Sequence, residues 1–135
     1  MNLDMMAAQR AQEIVRRAHN GEKASDLDNT VTKTLGVLQE DGVYAAFLFL
    51  LSRTDKEKNR AQIVREEMLT LLSEMGFAWD GARPQKSEEV LAYISTKVTG
   101  GSGGEALERL MLAKETLEQM LVYGRYGAKA WGQES

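Results

Sequence analysis

The amino-acid sequence predicts an all-α protein, folded as a single compact bundle of about six helices that spans residues 1–135. The chain contains one proline in 135 residues, and proline is the residue that most disrupts a helix interior. It is rich in the good helix formers Ala, Leu, Met, Glu, Lys, Arg and Gln, and no segment shows the sustained period-two alternation of a strand. Hydrophobic residues make up 43% of the chain, which is enough to bury a core within one domain.

Two amphipathic helices are predicted in the N-terminal part. Apolar residues recur at spacings of three and four over residues 3–19, and Asn20-Gly21 supplies a stop signal. Ser25 and Asp28 have the spacing of a capping box, so a second helix is expected from there to about Glu40. Gly36 inside it costs about 1 kcal/mol relative to Ala, which suggests a close packing contact or a bend.

The middle of the chain predicts two further helices. The segment Val43–Leu51 is apolar nearly all round, which is typical of a helix in the centre of a bundle. Thr54 and Glu57 form a second capping-box pattern, and Gly76 caps the helix that follows. The residues of that helix expected to face one core are Ala61, Val64, Met68, Leu71, Leu72 and Met75.

A loop and two helices complete the predicted bundle. Residues 76–87 contain the only proline, and Phe77 and Trp79 are expected to tuck this loop onto the core. A short helix is predicted from Ser87 to about Val98, followed by a flexible glycine-rich stretch over residues 100–104. Ser102 and Glu105 form a third capping-box pattern, and the helix after it should run to about Trp131. Its expected core residues are Leu107, Leu110, Met111, Leu117, Met120 and Leu121.

The composition favours a binding or assembly module over an enzyme. The chain has no cysteine, which excludes disulfides, thiolate metal sites and cysteine nucleophiles and fits a cytoplasmic protein. A single histidine, His19, does not support histidine metal sites or a Ser-His-Asp triad. The paired acids Glu66-Glu67 and Glu88-Glu89 point in different directions on a helix, so they are expected to be solvated surface charges. We therefore expect no catalytic residues, no metal, no cofactor and no small-molecule substrate.

Membrane and export signals are not found in the sequence. The longest apolar run, Val43–Leu51, has nine residues, whereas a membrane-spanning helix needs about 20. The first 18 residues are amphipathic and of mixed charge, so no signal peptide is predicted. The expected protein is soluble and makes no contact with a membrane.

The charges are unevenly distributed along the chain, whose net charge is −3. Residues 9–23 hold four cationic and two anionic side chains, and residues 53–65 hold five and two. Residues 66–96 hold two cationic and six anionic side chains. If the two basic segments adjoin in the fold, they form a stripe able to neutralise several phosphates.

Three separated parts of the chain resemble one protein family. The segment Thr34–Leu50 combines an amphipathic helix, a polar residue followed by glycine, and an Ala-rich apolar helix that carries Ala-Phe-Leu. Gln9-Arg10-Ala11 lies on the first helix, and Glu105-Ala106-Leu107 and Arg125–Lys129 lie on the last. In this order the segments are similar to the small all-helical subunit of the type III-B CRISPR effector, the Cmr or RAMP-module complex. The type III-A counterpart remains open as a second assignment.

The resemblance implies a function in RNA targeting without catalysis. Copies of the family's subunit stack along a filament of backbone subunits that hold the guide RNA, and they line the groove that receives the target RNA. The implied partners are other RAMP-module effector subunits, further copies of this chain, the target RNA and its duplex with the guide. The candidate RNA-binding residues are Arg10, Arg16 and Arg17 in the first helix, Arg125 and Lys129 in the last, and the charge cluster Lys56, Lys58, Arg60 and Arg65. The alternative from another class is a helical protein–protein adaptor or regulator with no RNA role.

Overall fold

Six α-helices pack around one core in the computed structural model, which describes residues 2–134. The predicted all-α bundle is thereby confirmed, and the described residues contain no strand. A 3₁₀ turn at Asp55–Glu57 precedes the fourth helix, and the fifth continues as a π-helical segment at Ile94–Val98. The helices are α1 Leu3–Ala18, α2 Ala24–Asp41, α3 Val43–Leu51, α4 Lys58–Glu74, α5 Ser87–Tyr93 and α6 Gly104–Gly132.

The last helix, α6, lies along both N-terminal helices. Two contacts show that it runs parallel to α1. The Tyr123 hydroxyl donates a hydrogen bond to Asp4 near the start of α1, and the ring centroid of Trp131 lies 4.2 Å from that of His19, just past the end of α1. Its antiparallel packing on α2 brings Gly124 against Val31. The 29-residue α6 thus joins the two ends of the described chain into one core.

Helix α4 packs on the side of α1 that faces away from α6, and it runs antiparallel to α1. Arg10 near the middle of α1 contacts Glu74 near the end of α4, and Glu22 just after α1 contacts Arg60 near the start of α4. One face of α4 is buried continuously, from Ala61 through Val64 and Met68 to Leu71 and Leu72.

The close glycine contact expected at Gly36 occurs elsewhere. Gly36 lies inside the continuous helix α2, and a Cβ placed there would meet nothing within 4 Å. At Gly127 a Cβ would lie 3.0 Å from Cγ2 of Val15. The glycine that permits close helix packing is therefore on α6, opposite α1.

None of the three predicted capping boxes forms. Helix α2 begins at Ala24, so Ser25 lies inside its first turn, and Thr54 makes no side-chain cap before the 3₁₀ turn. Helix α6 begins after Gly103, whose φ of 89° is accessible to glycine, and not after Ser102. A side-chain cap does form at α1, where Asn2 Oδ1 accepts a hydrogen bond of 3.0 Å from the Met5 N–H.

Two expectations about the core are wrong. Helix α3 is peripheral and not central, since Tyr44 and Leu48 are 41% and 48% exposed while Val43 and Phe47 on its other side are buried. Leu107 and Met111 near the start of α6 were expected in the core but are 57% and 56% exposed. The core face of α6 begins only at Ala113, because the first turns of the helix extend beyond the packed part of the bundle.

The loop between α4 and α5 packs as predicted, with Phe77 buried and Trp79 half-buried. No helix within residues 2–134 has the length and apolarity required to cross a membrane.

Candidate nucleic-acid interface

The two basic segments of the sequence adjoin in the fold. Between the end of α1 and the start of α4 lies a hollow of about 330 Å³, which we call the α1–α4 hollow. It is lined by Arg16, Arg17, Asn20, Asn59 and Ile63. Four of these five side chains carry N–H donors, which is the chemistry that recognises a phosphate oxygen.

Most of the cationic charge beside this hollow is neutralised within the protein. Arg10 Nη1 lies 2.8 Å from one carboxylate oxygen of Glu67, and Arg17 Nη1 lies 2.9 Å from the other. Arg17 Nη2 lies 2.6 Å from Glu66. Glu66 and Glu67 are 6% and 5% exposed, so the expectation that they are solvated surface charges is wrong.

Glu66 also connects α4 to the loop that precedes α5. Its Oε2 accepts a hydrogen bond of 3.1 Å from Gln62 and lies 3.4 Å from Arg83 Nη2. Burial alone would raise the pKa of Glu66, but the hydrogen bonds from Arg17 and Gln62 and the charges of Arg83 and Arg17 hold it below its usual value. The Glu66 carboxylate is therefore charged and binds two arginines at once.

Arg60 belongs to the interior. Only 9% of the residue is exposed, and its Nε donates to Thr30 Oγ1 at 2.9 Å. Its Nη1 donates to the Lys56 carbonyl at 2.6 Å and lies 3.2 Å from Glu22. This guanidinium joins α2, α4 and the segment after α1, whereas the Lys56 side chain itself is exposed.

Three other candidate cations lie on α1 and α6. The Arg16 side chain is 69% exposed, and its Nε donates to Glu13 Oε2 at 2.9 Å. Lys129 is 48% exposed at its side chain and lies 3.1 Å from Asp28. Arg125 is half-buried, and its Nε has no hydrogen-bond partner within residues 2–134. Neither Arg125 nor Lys129 lines the α1–α4 hollow.

A second depression, of about 820 Å³, lies on the side of α4 that faces away from α1, and we call it the α4 cleft. It is lined by residues from the end of α3, the 3₁₀ turn, α4 and the start of α5. Its wall holds the four cations Arg53, Lys58, Arg65 and Lys86 but only one carboxylate, Asp55. Burial lowers the pKa of Arg65, and the buried Nε of Arg65 has no hydrogen-bond partner among the described residues. The α4 cleft is therefore more cationic than the α1–α4 hollow.

Charge clustering along the chain identified Lys58 and Arg65 but missed Lys86. Lys86 belongs to residues 66–96, which are strongly acidic in sequence. Several of those acids lie away from the cleft, and Glu66 faces the arginines of α1. The fold, in which α5 packs on α3, brings Lys86 beside Lys58 in the wall of the cleft.

Over residues 2–134, no three carboxylate or imidazole side chains converge in the manner of metal ligands. Comparison with known proteins finds no matching family model, no matching curated protein and no matching solved structure.

Proposed function

We propose that this chain is a non-catalytic small subunit of a type III-B CRISPR effector, an RNA-guided complex that targets RNA. In this proposal it stacks along the backbone filament and lines the groove for the target RNA. The main support for a role in RNA binding is that the two basic segments, residues 9–23 and 53–65, lie side by side at the α1–α4 hollow. The resemblance of Thr34–Leu50 to the family supplies the type of complex.

Seven of the nine candidate RNA-contacting residues divide into two groups by their surroundings, while Arg65 and Arg125 are half-buried. Arg16, Lys56, Lys58 and Lys129 are exposed, so their charges are available to phosphates. Three further cations are paired with carboxylates from other segments of the chain and lie behind the exposed ones: Arg10, Arg17 and Arg60. Base sequence is read by pairing between guide and target, while this subunit supplies contacts to the RNA backbone.

A tagged pull-down from the native host tests the proposal. Copurifying proteins are identified by mass spectrometry and bound RNA is sequenced. The expected result is recovery of RAMP-type subunits together with short spacer-derived RNAs. Subunits of a type III-A complex would instead assign the chain to that subtype and overturn the III-B assignment. Unrelated proteins without RNA would overturn the effector function as a whole.

The phosphate contacts are tested in the purified complex with the variant Arg16→Gln. If Arg16 contacts a phosphate, the variant weakens target binding equally for all sequences and lowers the salt slope by about one. Lys33→Gln on α2 removes the same charge outside both basic segments and is the matched control. A change of sequence preference in Arg16→Gln would contradict a contact with the RNA backbone.

The second candidate function is a helical protein–protein adaptor, and it is favoured by exposed apolar side chains at the start of α6. Leu107, Met111 and Leu112 are 57%, 56% and 45% exposed. Binding through such residues depends weakly on salt, whereas binding through phosphate contacts weakens steeply as salt is raised. Salt titration of the recovered complex therefore separates the two functions.

A further inference from the structure

The segment between Trp79 and Lys86 is held firmly against the bundle by three sets of contacts. The Tyr93 hydroxyl donates a hydrogen bond to the Phe77 carbonyl at the start of this loop. Arg83 lies 3.4 Å from the buried Glu66. The Glu89 carboxylate accepts hydrogen bonds from the backbone N–H groups of Lys86 at 3.1 Å and Gln85 at 3.3 Å. The surface around this segment is therefore formed in advance of any ligand.

On one side of this segment lies the α4 cleft. Among the described residues, no carboxylate lies within ion-pair distance of Lys58, Arg65 or Lys86, whereas Arg53 is paired with Glu57 at 3.7 Å. The three unpaired cations are concentrated in a concave site, which focuses a positive potential on a bound anion. A guanidinium and two ammonium groups fit the oxygens of a phosphodiester.

On the other side of the segment lies a third depression of about 660 Å³, which we call the aromatic cleft. It is lined by Trp79, Pro84 and Tyr93 together with Lys86. The rings of Trp79 and Tyr93 meet edge to face, with their centroids 6.1 Å apart. Volumes of about 660 and 820 Å³ both lie within the range of roughly 300–1,000 Å³ that is usual for ligand sites.

The two clefts share Gln85 and Lys86, so a phosphate site and an aromatic platform are neighbours. We propose that together they form a binding track for single-stranded RNA, with phosphates at Lys58, Arg65 and Lys86 and a base against Trp79. This combination of a cationic groove and a stacking aromatic residue is how single strands are bound without sequence preference. The inference rests on the RNA-binding part of the proposed function and adds the place of contact and the strandedness of the ligand.

The fluorescence of Trp79 reports directly on this track. The chain has two tryptophans, so the variant Trp131→Phe leaves Trp79 as the only one. In a titration of this isolated variant with a single-stranded RNA octamer at low salt, the Trp79 emission is expected to be quenched to saturation. Inorganic tripolyphosphate, which has phosphates but no base, is expected to displace the RNA and restore the emission. If tripolyphosphate binds as tightly as RNA and RNA causes no quenching, the site takes free phosphate and the proposal is overturned.

Substitutions test the two halves of the track separately. Trp79→Leu is expected to weaken octamer binding about tenfold through loss of one stacked base. The double variant Lys58→Gln/Lys86→Gln, which changes two exposed side chains and keeps the core intact, is expected to weaken binding and to lower the salt slope by about two. The double variant Lys33→Gln/Lys114→Gln removes the same charge outside both basic segments and both clefts and is the matched control.

The outcomes distinguish this inference from the proposed function. If the Lys58→Gln/Lys86→Gln protein still copurifies with RAMP-type subunits but binds the octamer as tightly as its control, the track is overturned and the effector function is unaffected. Equal affinity for the octamer and for its double-stranded form would also overturn the track, because a paired base is not available to Trp79.

Discussion

Arg17 Nη2 on α1 lies 2.6 Å from Oε1 of Glu66 on α4, and this contact joins two helices whose residues are 49 positions apart in the sequence. The same guanidinium also binds Glu67. Some of the cations that the sequence predicts on an exposed basic surface are thus paired with carboxylates and hold α1 against α4. The exposed positive charge that remains is shifted toward Arg16 and the α4 cleft.

Removal of one side of this ionic network should destabilise the fold strongly. Arg17→Ala removes one arginine from two buried carboxylates, Glu66 and Glu67, and we expect a loss on the order of 3 kcal/mol in the free energy of unfolding. Urea denaturation followed by circular dichroism measures it. Arg16→Ala, next in sequence but in an exposed pair with Glu13, is the control and should have a much smaller effect. Equal losses of unfolding free energy in the two variants would show that the buried ion pairs stabilise the fold no more than the exposed pair does.

The stability contributed by Glu66 should depend on pH in one direction. Its pKa in the folded state lies below the ordinary value of 4.5, so the unfolded chain binds the proton more tightly. The contribution is therefore complete above about pH 4.5 and is lost as the pH falls through the folded-state value. We expect the difference in unfolding free energy between wild type and Glu66→Gln to shrink from pH 5 to pH 3. A difference that is constant or grows over this range would contradict the pKa direction.

Arg60 should prove to be a structural residue, although charge clustering places it among the RNA contacts. Arg60→Ala removes the donors to Thr30 and to the Lys56 carbonyl and leaves Glu22 with Asn59 but without its cationic partner. We expect a loss of about 2–3 kcal/mol, measured by thermal denaturation. Lys56→Ala should leave the melting temperature unchanged. RNA binding by an Arg60 variant is informative only at temperatures where that variant is folded.

Two glycine substitutions of the same kind should have opposite consequences. Gly36→Ala adds a methyl group where nothing lies within 4 Å, so it should stabilise α2 by about 1 kcal/mol through helix propensity. Gly127→Ala places its Cβ 3.0 Å from Val15, which must move, and this offsets the gain or exceeds it. Melting temperatures of the two variants are compared with wild type. A larger gain at Gly127 than at Gly36 would contradict the close approach of α6 to α1.

Tyr93 should hold the loop that separates the two clefts. Tyr93→Phe leaves the Phe77 carbonyl without its donor and should cost about 1 kcal/mol. Burial raises the pKa of Tyr93 to about 12, so the folded state favours the neutral phenol and loses that stability as the pH rises from 10 toward 12. Alkaline titration monitored by tyrosinate absorbance should show one group near pH 12 that is absent in Tyr93→Phe.

The helices were predictable from local patterns, whereas their N-terminal caps were not. Periodic apolar residues located α1 within one residue of its observed end, and a continuous apolar run located α3 at its observed bounds. Ser25, Thr54 and Ser102 have the spacing of capping residues, but each helix begins where packing and turn geometry place it. A cap stabilises by only about 1 kcal/mol, so tertiary contacts readily override it.

The chemistry of the candidate interface depends on contacts between distant segments. The burial of Glu66 follows from arginines on α1 and on the loop before α5, and no periodicity in α4 reveals it. Lys86 escaped notice because its neighbours in sequence are acidic, while its neighbours in space are cationic. Composition can show that charges are clustered, but only the fold determines which of them have partners.

The long α6 has a consequence for synthesis on the ribosome. The hydrogen bond between Tyr123 and Asp4 spans 119 residues, and Leu117, Met120 and Leu121 supply one wall of the core. While the chain is being translated, the sides of α1 and α2 that pack on α6 stay uncovered until α6 is made. Domains with such distant contacts fold late and expose apolar surface meanwhile. The nascent chain should therefore be a client of ribosome-associated chaperones until its final helix emerges from the exit tunnel.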